Sequence, residues 1–211
     1  MTMLRRTFLA AFVAFCLAGA ALPAPAGAAT GDDATKFIQD LARRAIATVA
    51  DGQLSETARN DSFRSLFVSS FDIPAIARFV LGRYWRNATP DQQQEFVKLF
   101  EDFNVQVWTK RFEDYHGESL KTVGTGTKEG DQGWLVESSI VRNQGPPISV
   151  QWRLEQSDGA GFRIVDIIVD GVSMALTYRS DYASALQGNG GKIDALLASL
   201  RTKNDQLRPT R

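Results

Sequence analysis

Apolar positions recur at helical spacing through the first half of this chain and at every second position through much of the second half. Residues 36–50 place Phe37, Leu41, Ala45 and Val49 on one face, with Gly52 as a stop. Residues 56–70 do the same with Phe63, Leu66 and Phe67. Asp72-Ile73-Pro74 reads as a cap followed by an early proline, opening a helix that carries Ile76, Phe79 and Val80 toward Gly82. Thr89-Pro90-Asp91-Gln92 fits a capping box. The stripe Phe96, Leu99, Phe100, Phe103 and Val107 then predicts a long helix running to about Tyr115, with Gly117 as its break.

Beyond Gly117 the period becomes two. Trp134, Val136, Ser138 and Ile140 alternate with Leu135, Glu137, Ser139 and Val141; Ile148, Val150, Trp152 and Leu154 alternate with Ser149, Gln151, Arg153 and Glu155. Residues 162–169 form a third clear strand after an Asp158-Gly159 turn, and 119–127 a plausible first one. The pattern predicts a four-stranded antiparallel meander with one buried face. Residues 178–186 and 193–200 read as C-terminal helices separated by Gly188-Asn189-Gly190-Gly191, and 204–211 as a frayed tail. The expected class is α+β.

The first residues change where all of this works. Arg5 and Arg6 precede a small-and-apolar run from Thr7 to Leu22, and Ala26-Gly27-Ala28 supplies a small-x-small cleavage pattern. Residues 1–28 read as a secretory signal peptide, too short in its apolar run to span a membrane. The mature chain is expected to begin near Ala29 and to work outside the cytoplasm, exported by the Sec or the twin-arginine route. Cys16, the chain's single cysteine, lies inside that segment, and Phe15 occupies a position where a lipobox needs a small residue. The mature chain is thereby left without thiol chemistry. The 24 Lys and Arg, less Arg5 and Arg6, leave 22 against 24 acidic residues, a balance that argues against a nucleic-acid binder.

Candidate catalytic groups are few. His116 is the one histidine, with Asp114 and Tyr115 beside it in sequence, but no nucleophile elbow, metal-binding helix or triad signature accompanies it. It reads as a helix C-terminal histidine. Asp166 and Asp170 point to one side of the last strand and could share a proton or a cation; the simpler reading places Asp166 on a hydrogen-bonded face and Asp170 in a turn with Gly171. Gly124-Thr125-Gly126 and Gly188–Gly191 lack the context of a phosphate loop. The distinctive feature is aromatic: nine of the ten phenylalanines after residue 28 lie at or before Phe112. They fill a core or line a hollow for a long apolar ligand.

Five stretches in order carry a resemblance: Val80-Leu81-Gly82-Arg83-Tyr84-Trp85 running into Ala88-Thr89-Pro90 and the Phe96/Phe100/Phe103 helix; Tyr115-His116-Gly117; Gly145-Pro146-Pro147 with Gln151-Trp152-Arg153; Asp166-Ile167-Ile168; and Asp170-Gly171-Val172-Ser173-Met174. Together they resemble the MlaC family, which includes toluene-tolerance auxiliary proteins and hopanoid-associated relatives, over about residues 36–200. The resemblance implies helices packed on a twisted antiparallel sheet in a partly NTF2-like arrangement, with C-terminal helices and a lipid-binding domain over 29–203. It implies a periplasmic phospholipid carrier between an inner-membrane ABC transporter complex and an outer-membrane lipoprotein complex, with acyl tails buried, headgroup at the mouth, and no cofactor, metal or catalytic residue. Motif position and apolar periodicity together assign the tail-contacting wall to Phe79, Val80, Tyr84, Phe96, Phe100, Phe103, Val136, Ile140, Val150, Trp152, Ile168 and Val172. The alternatives are a hopanoid-type carrier of the same family and an NTF2-like enzyme using Asp166 or Asp170 with Tyr84 or Tyr178.

Overall fold

A computed structural model describes residues 29–208 apart from 52, 114 and 158–160. The signal segment and the Asp158-Gly159 turn lie outside the described residues. The order is α1 (Gly31–Ala50), α2 (Glu56–Ser70), α3 (Ile73–Leu81), a 3-10 segment (Gly82–Asn87), α4 (Pro90–Glu113), β1 (Ser119–Glu129), β2 (Gly133–Val141), β3 (Ile148–Ser157), β4 (Gly161–Val169), β5 (Val172–Ser173), α5 (Met174–Gly188) and α6 (Ile193–Leu207). The α+β class and the antiparallel meander are as expected. A fifth, two-residue strand extends the predicted four, in the order β1-β2-β3-β4-β5.

Local chemistry sets the boundaries. Thr30 and Asp33 form a reciprocal capping box, so α1 starts five residues before the apolar stripe predicts. Thr89 and Gln92 cap α4 in the same reciprocal way, at 3.2 and 3.0 Å. The 24 residues of α4 give it a length of about 36 Å. Ser173 caps α5, which starts at Met174 rather than Tyr178 because the short β5 delivers the cap there. The expected frayed tail is instead helical to Leu207: Asn204 is buried, and its Nδ2 donates to the Leu99 carbonyl of α4 at 3.0 Å.

Two apolar cores result. One lies among the helices, built from Phe63 and Phe67 of α2, Ile76 and Val80 of α3, Phe96 and Phe100 of α4, Tyr182 of α5 and Leu197 of α6. The other lies between α1 and the sheet, from Ala34 and Ile38 to Trp134, Val136, Val150, Leu154, Ile164 and Ile167. Phe71 and Trp108, both half-buried, pack against both. Phe71 bridges to Ile164 of β4, and the Asp72 N–H donates to the Ile164 carbonyl at 2.9 Å, which pins the α2–α3 junction to the sheet.

A register shift in β4 decides which residues face inward. Arg153 pairs with Asp166 while Leu154 pairs with Ile164, so Val165 is an extra residue. Ile164, Ile167 and Val169 therefore share the inner face with Leu154, Trp152 and Val150. Ile168 pairs with Gln151 and turns to the opposite face, correcting its place in the expected wall.

Candidate functional site: a cavity between the two cores

The seam between the cores is not closed. A cavity of about 300 Å³ lies between α1, α2, the C-terminal half of α4 and the inner face of the sheet. Helix α1 supplies Ile38, Leu41, Ala42, Ala45 and Ile46, and α2 supplies Phe63, Leu66 and Phe67. Trp108 closes it from α4, and Leu120, Ile140, Ile148, Val150, Trp152, Ile167 and Val169 form the sheet wall. Ala42 and Ala45 are small where neighbouring turns carry larger side chains, so α1 spans the sheet without filling the space beneath it. The size falls in the range typical of ligand pockets.

The polar lining residues are Arg111, Tyr115, Glu118 and Ser119, all between the last turn of α4 and the start of β1. The Glu118 carboxylate accepts the His116 N–H at 2.8 Å, and that backbone bond holds its carboxyl below the usual range. His116 itself is exposed, past the end of α4, and its carbonyl accepts from Asn143 at 2.7 Å. These contacts join the lip to the β2–β3 turn.

Of the twelve wall residues expected from sequence, Ile140, Val150 and Trp152 line this cavity. Val80, Tyr84 and Phe96 are buried in the helical core instead. Phe100 borders a separate hollow of about 40 Å³, whose walls at Phe67, Phe71, Trp108 and Ile167 it shares with the larger cavity. Phe103 is half-buried and borders neither. Val136 is buried under α1. Phe79 is 41% exposed beneath the Arg179 guanidinium, and Val172 is 54% exposed on β5.

The reason is that α5 and α6 occupy the stripe on α4. Tyr182 meets Phe96 edge-on at 5.5 Å and Tyr178 meets Phe100 edge-on at 5.7 Å. The glycine loop at 188–191 is correspondingly a helix terminus, with the Gly191 N–H donating to the Leu186 carbonyl at 2.7 Å, and it contributes no wall to the cavity. Five of the missed residues are on α1: Ile38, Leu41, Ala42, Ala45 and Ile46 form an i, i+3, i+4, i+7, i+8 stripe that was readable beside the Phe37/Leu41/Ala45/Val49 one.

The two carboxylates weighed as catalytic candidates are taken up by structural bonds. Asp166 is buried and accepts from Ser173 Oγ at 2.6 Å, the Ala175 N–H at 2.9 Å and Arg153 Nη1 at 3.3 Å. Asp170, with φ +47°, holds the turn into β5, its Oδ1 accepting the Ser149 N–H at 3.0 Å. Burial pushes the Tyr178 and Tyr182 phenols up, away from the range of a base at neutral pH. Among the described residues no group of side chains is arranged to hold a metal ion, and no helix is long and apolar enough to cross a membrane.

This architecture has known counterparts. The toluene tolerance protein ttg2D of Pseudomonas putida is 25% identical over 194 residues, covering 92% of this chain and 87% of that protein. A phospholipid-binding protein from Ralstonia solanacearum, solved in complex with a phospholipid at 1.53 Å resolution, shares the fold with a TM-score of 0.72 at 22% identity. That match covers 83% of this chain and 98% of the other. The family model for the MlaC protein matches residues 39–202. The chain belongs to the MlaC family.

Proposed function

We propose that this protein is a periplasmic phospholipid carrier, a binding protein rather than an enzyme, which shelters acyl chains in the cavity between α1, α2, α4 and the sheet. The observation that carries this reading is an apolar hollow with its polar residues gathered at one lip. Exposing one sixteen-carbon chain to water costs on the order of 12 kcal/mol at about 0.8 kcal/mol per CH₂. A carrier has to offset most of that cost and still release its cargo. The walls from Ile38 to Val169 provide apolar contact, and the open lip leaves a route for exit. The relative from Ralstonia solanacearum, crystallised with a phospholipid, supports the ligand class.

The partners on this reading are an inner-membrane ABC transporter complex and an outer-membrane lipoprotein complex, between which the loaded protein diffuses. Native mass spectrometry of protein purified from a periplasmic extract tests the proposal. A bound mass matching a diacyl phospholipid supports it. A hopanoid mass assigns the chain to the other branch, and protein that stays empty after incubation with phospholipid vesicles overturns it.

A further inference from the structure

We propose that Arg111 anchors the phosphodiester of the bound lipid, so that the site favours acyl lipids bearing an anionic phosphate over those that lack one. The inference rests on the carrier reading above. Arg111 is the one cationic residue among the described residues that line the cavity. Its guanidinium carbon lies 5.3 Å from the ring centre of Trp108, itself a cavity wall, so the cation is held in register with the space beneath it.

Two of the other three polar residues at the lip are already engaged. Tyr115 donates its hydroxyl to the Glu118 carbonyl at 3.1 Å, and the Glu118 carboxylate is tied to the His116 N–H. Arg142, on the β2–β3 turn, spends Nε and Nη2 on the Pro146 carbonyl at 3.1 and 2.6 Å. The Arg111 guanidinium has no hydrogen bond or ion pair with any described residue. A guanidinium carries five N–H donors and no acceptor, and packing one face on an indole leaves its edge free for the oxygens of a phosphate. The fork geometry suits two parallel bonds to such an anion. A phosphate held there fixes the depth of the acyl chains below it. It also leaves the rest of the headgroup in water, so phospholipids of different headgroup bind alike.

The test is extraction by purified, delipidated full-length mature protein from two kinds of vesicle, scored by mass spectrometry. One contains phosphatidylethanolamine and the other diacylglycerol with the same chains, both in a neutral carrier lipid. Arg111→Gln is expected to lower phosphatidylethanolamine extraction about tenfold, the scale of a lost charge-assisted hydrogen bond, and to leave diacylglycerol extraction unchanged. Arg111→Lys should recover part of the loss. Equal losses on both lipids, or no loss on either, overturn the proposal. Inorganic phosphate is the third arm: if it alone raises the Tm of the wild type but not of Arg111→Gln, the site serves free phosphate and the lipid assignment falls. A wild type that extracts neither lipid overturns the carrier reading, and this one with it.

Discussion

Trp152 Nε1 donates to Ser138 Oγ at 2.8 Å, and the Ser138 hydroxyl donates onward to the Val150 carbonyl at 2.9 Å. The indole therefore faces an apolar cavity with its polar edge satisfied across the β2–β3 pair. Ser138→Ala leaves the half-buried indole N–H without its partner. The expected loss is about 1–3 kcal/mol of folding stability, read as a lower urea midpoint with an unchanged slope. An unchanged midpoint would mean that the Ser138 hydroxyl is replaceable by water.

Ser138 also shows how far the sequence could be read. Its place in the alternation Trp134, Val136, Ser138, Ile140 fixed the inner face of β2, because a strand has only two faces. The same logic failed in β4, where Val165 interrupts the alternation and no local residue type announces the bulge. The helices were legible as elements, yet their partners were not. Phe96 and Phe100 look like a ligand-facing stripe until Tyr178 and Tyr182 are known to cover them. The stripe shows that this face is buried, not what buries it. The cavity was hardest to see because it is marked by small residues, Ala42 and Ala45, on an otherwise ordinary amphipathic helix.

Helix α1 sits on β1 through two glycines. The Gly126 N–H donates to Thr35 Oγ1 at 2.9 Å. A Cβ on Gly126 would stand 3.0 Å from the Gly31 carbonyl oxygen and 3.2 Å from both Ala34 Cβ and Val136 Cγ2. A larger side chain there must lift the start of α1 from the sheet. Gly126→Val is expected to cost about 1–3 kcal/mol and to speed hydrogen exchange in α1 more than in α6. Equal protection in the two helices would show that α1 is held elsewhere.

Acid sensitivity should trace in part to Glu129. Its carboxylate accepts Arg153 Nε and Nη2 at 2.7 and 3.1 Å, and these bonds hold its carboxyl below the ordinary value of 4.5. A depressed carboxyl contributes stability that is complete above its unfolded value and is lost as pH falls through the folded one. The window is therefore below about pH 4.5, and the pair is exposed enough to contribute under about 1 kcal/mol. Glu129→Gln should lower Tm slightly at pH 7, where the charge contributes in full, and meet the wild type at the acid end of the Tm–pH profile, so that the acid limb is flatter. A parallel shift of the whole profile would assign the role of Glu129 to packing rather than charge.

Ala45 offers the direct test of the cavity as the lipid site. It lies on the α1 wall, half-buried, with the hollow beneath it. Ala45→Phe places a ring where acyl carbons are proposed to lie, on a helix that tolerates phenylalanine at a cost of about half a kcal/mol. Filling an existing void also adds apolar contact, so Tm should hold or rise. Co-purified phospholipid should meanwhile fall severalfold, measured as lipid per protein by mass spectrometry. The opposed directions matter, because a variant that merely unfolds loses lipid and Tm together. A folded Ala45→Phe protein carrying a full complement of lipid would place the acyl chains outside the space between α1 and the sheet.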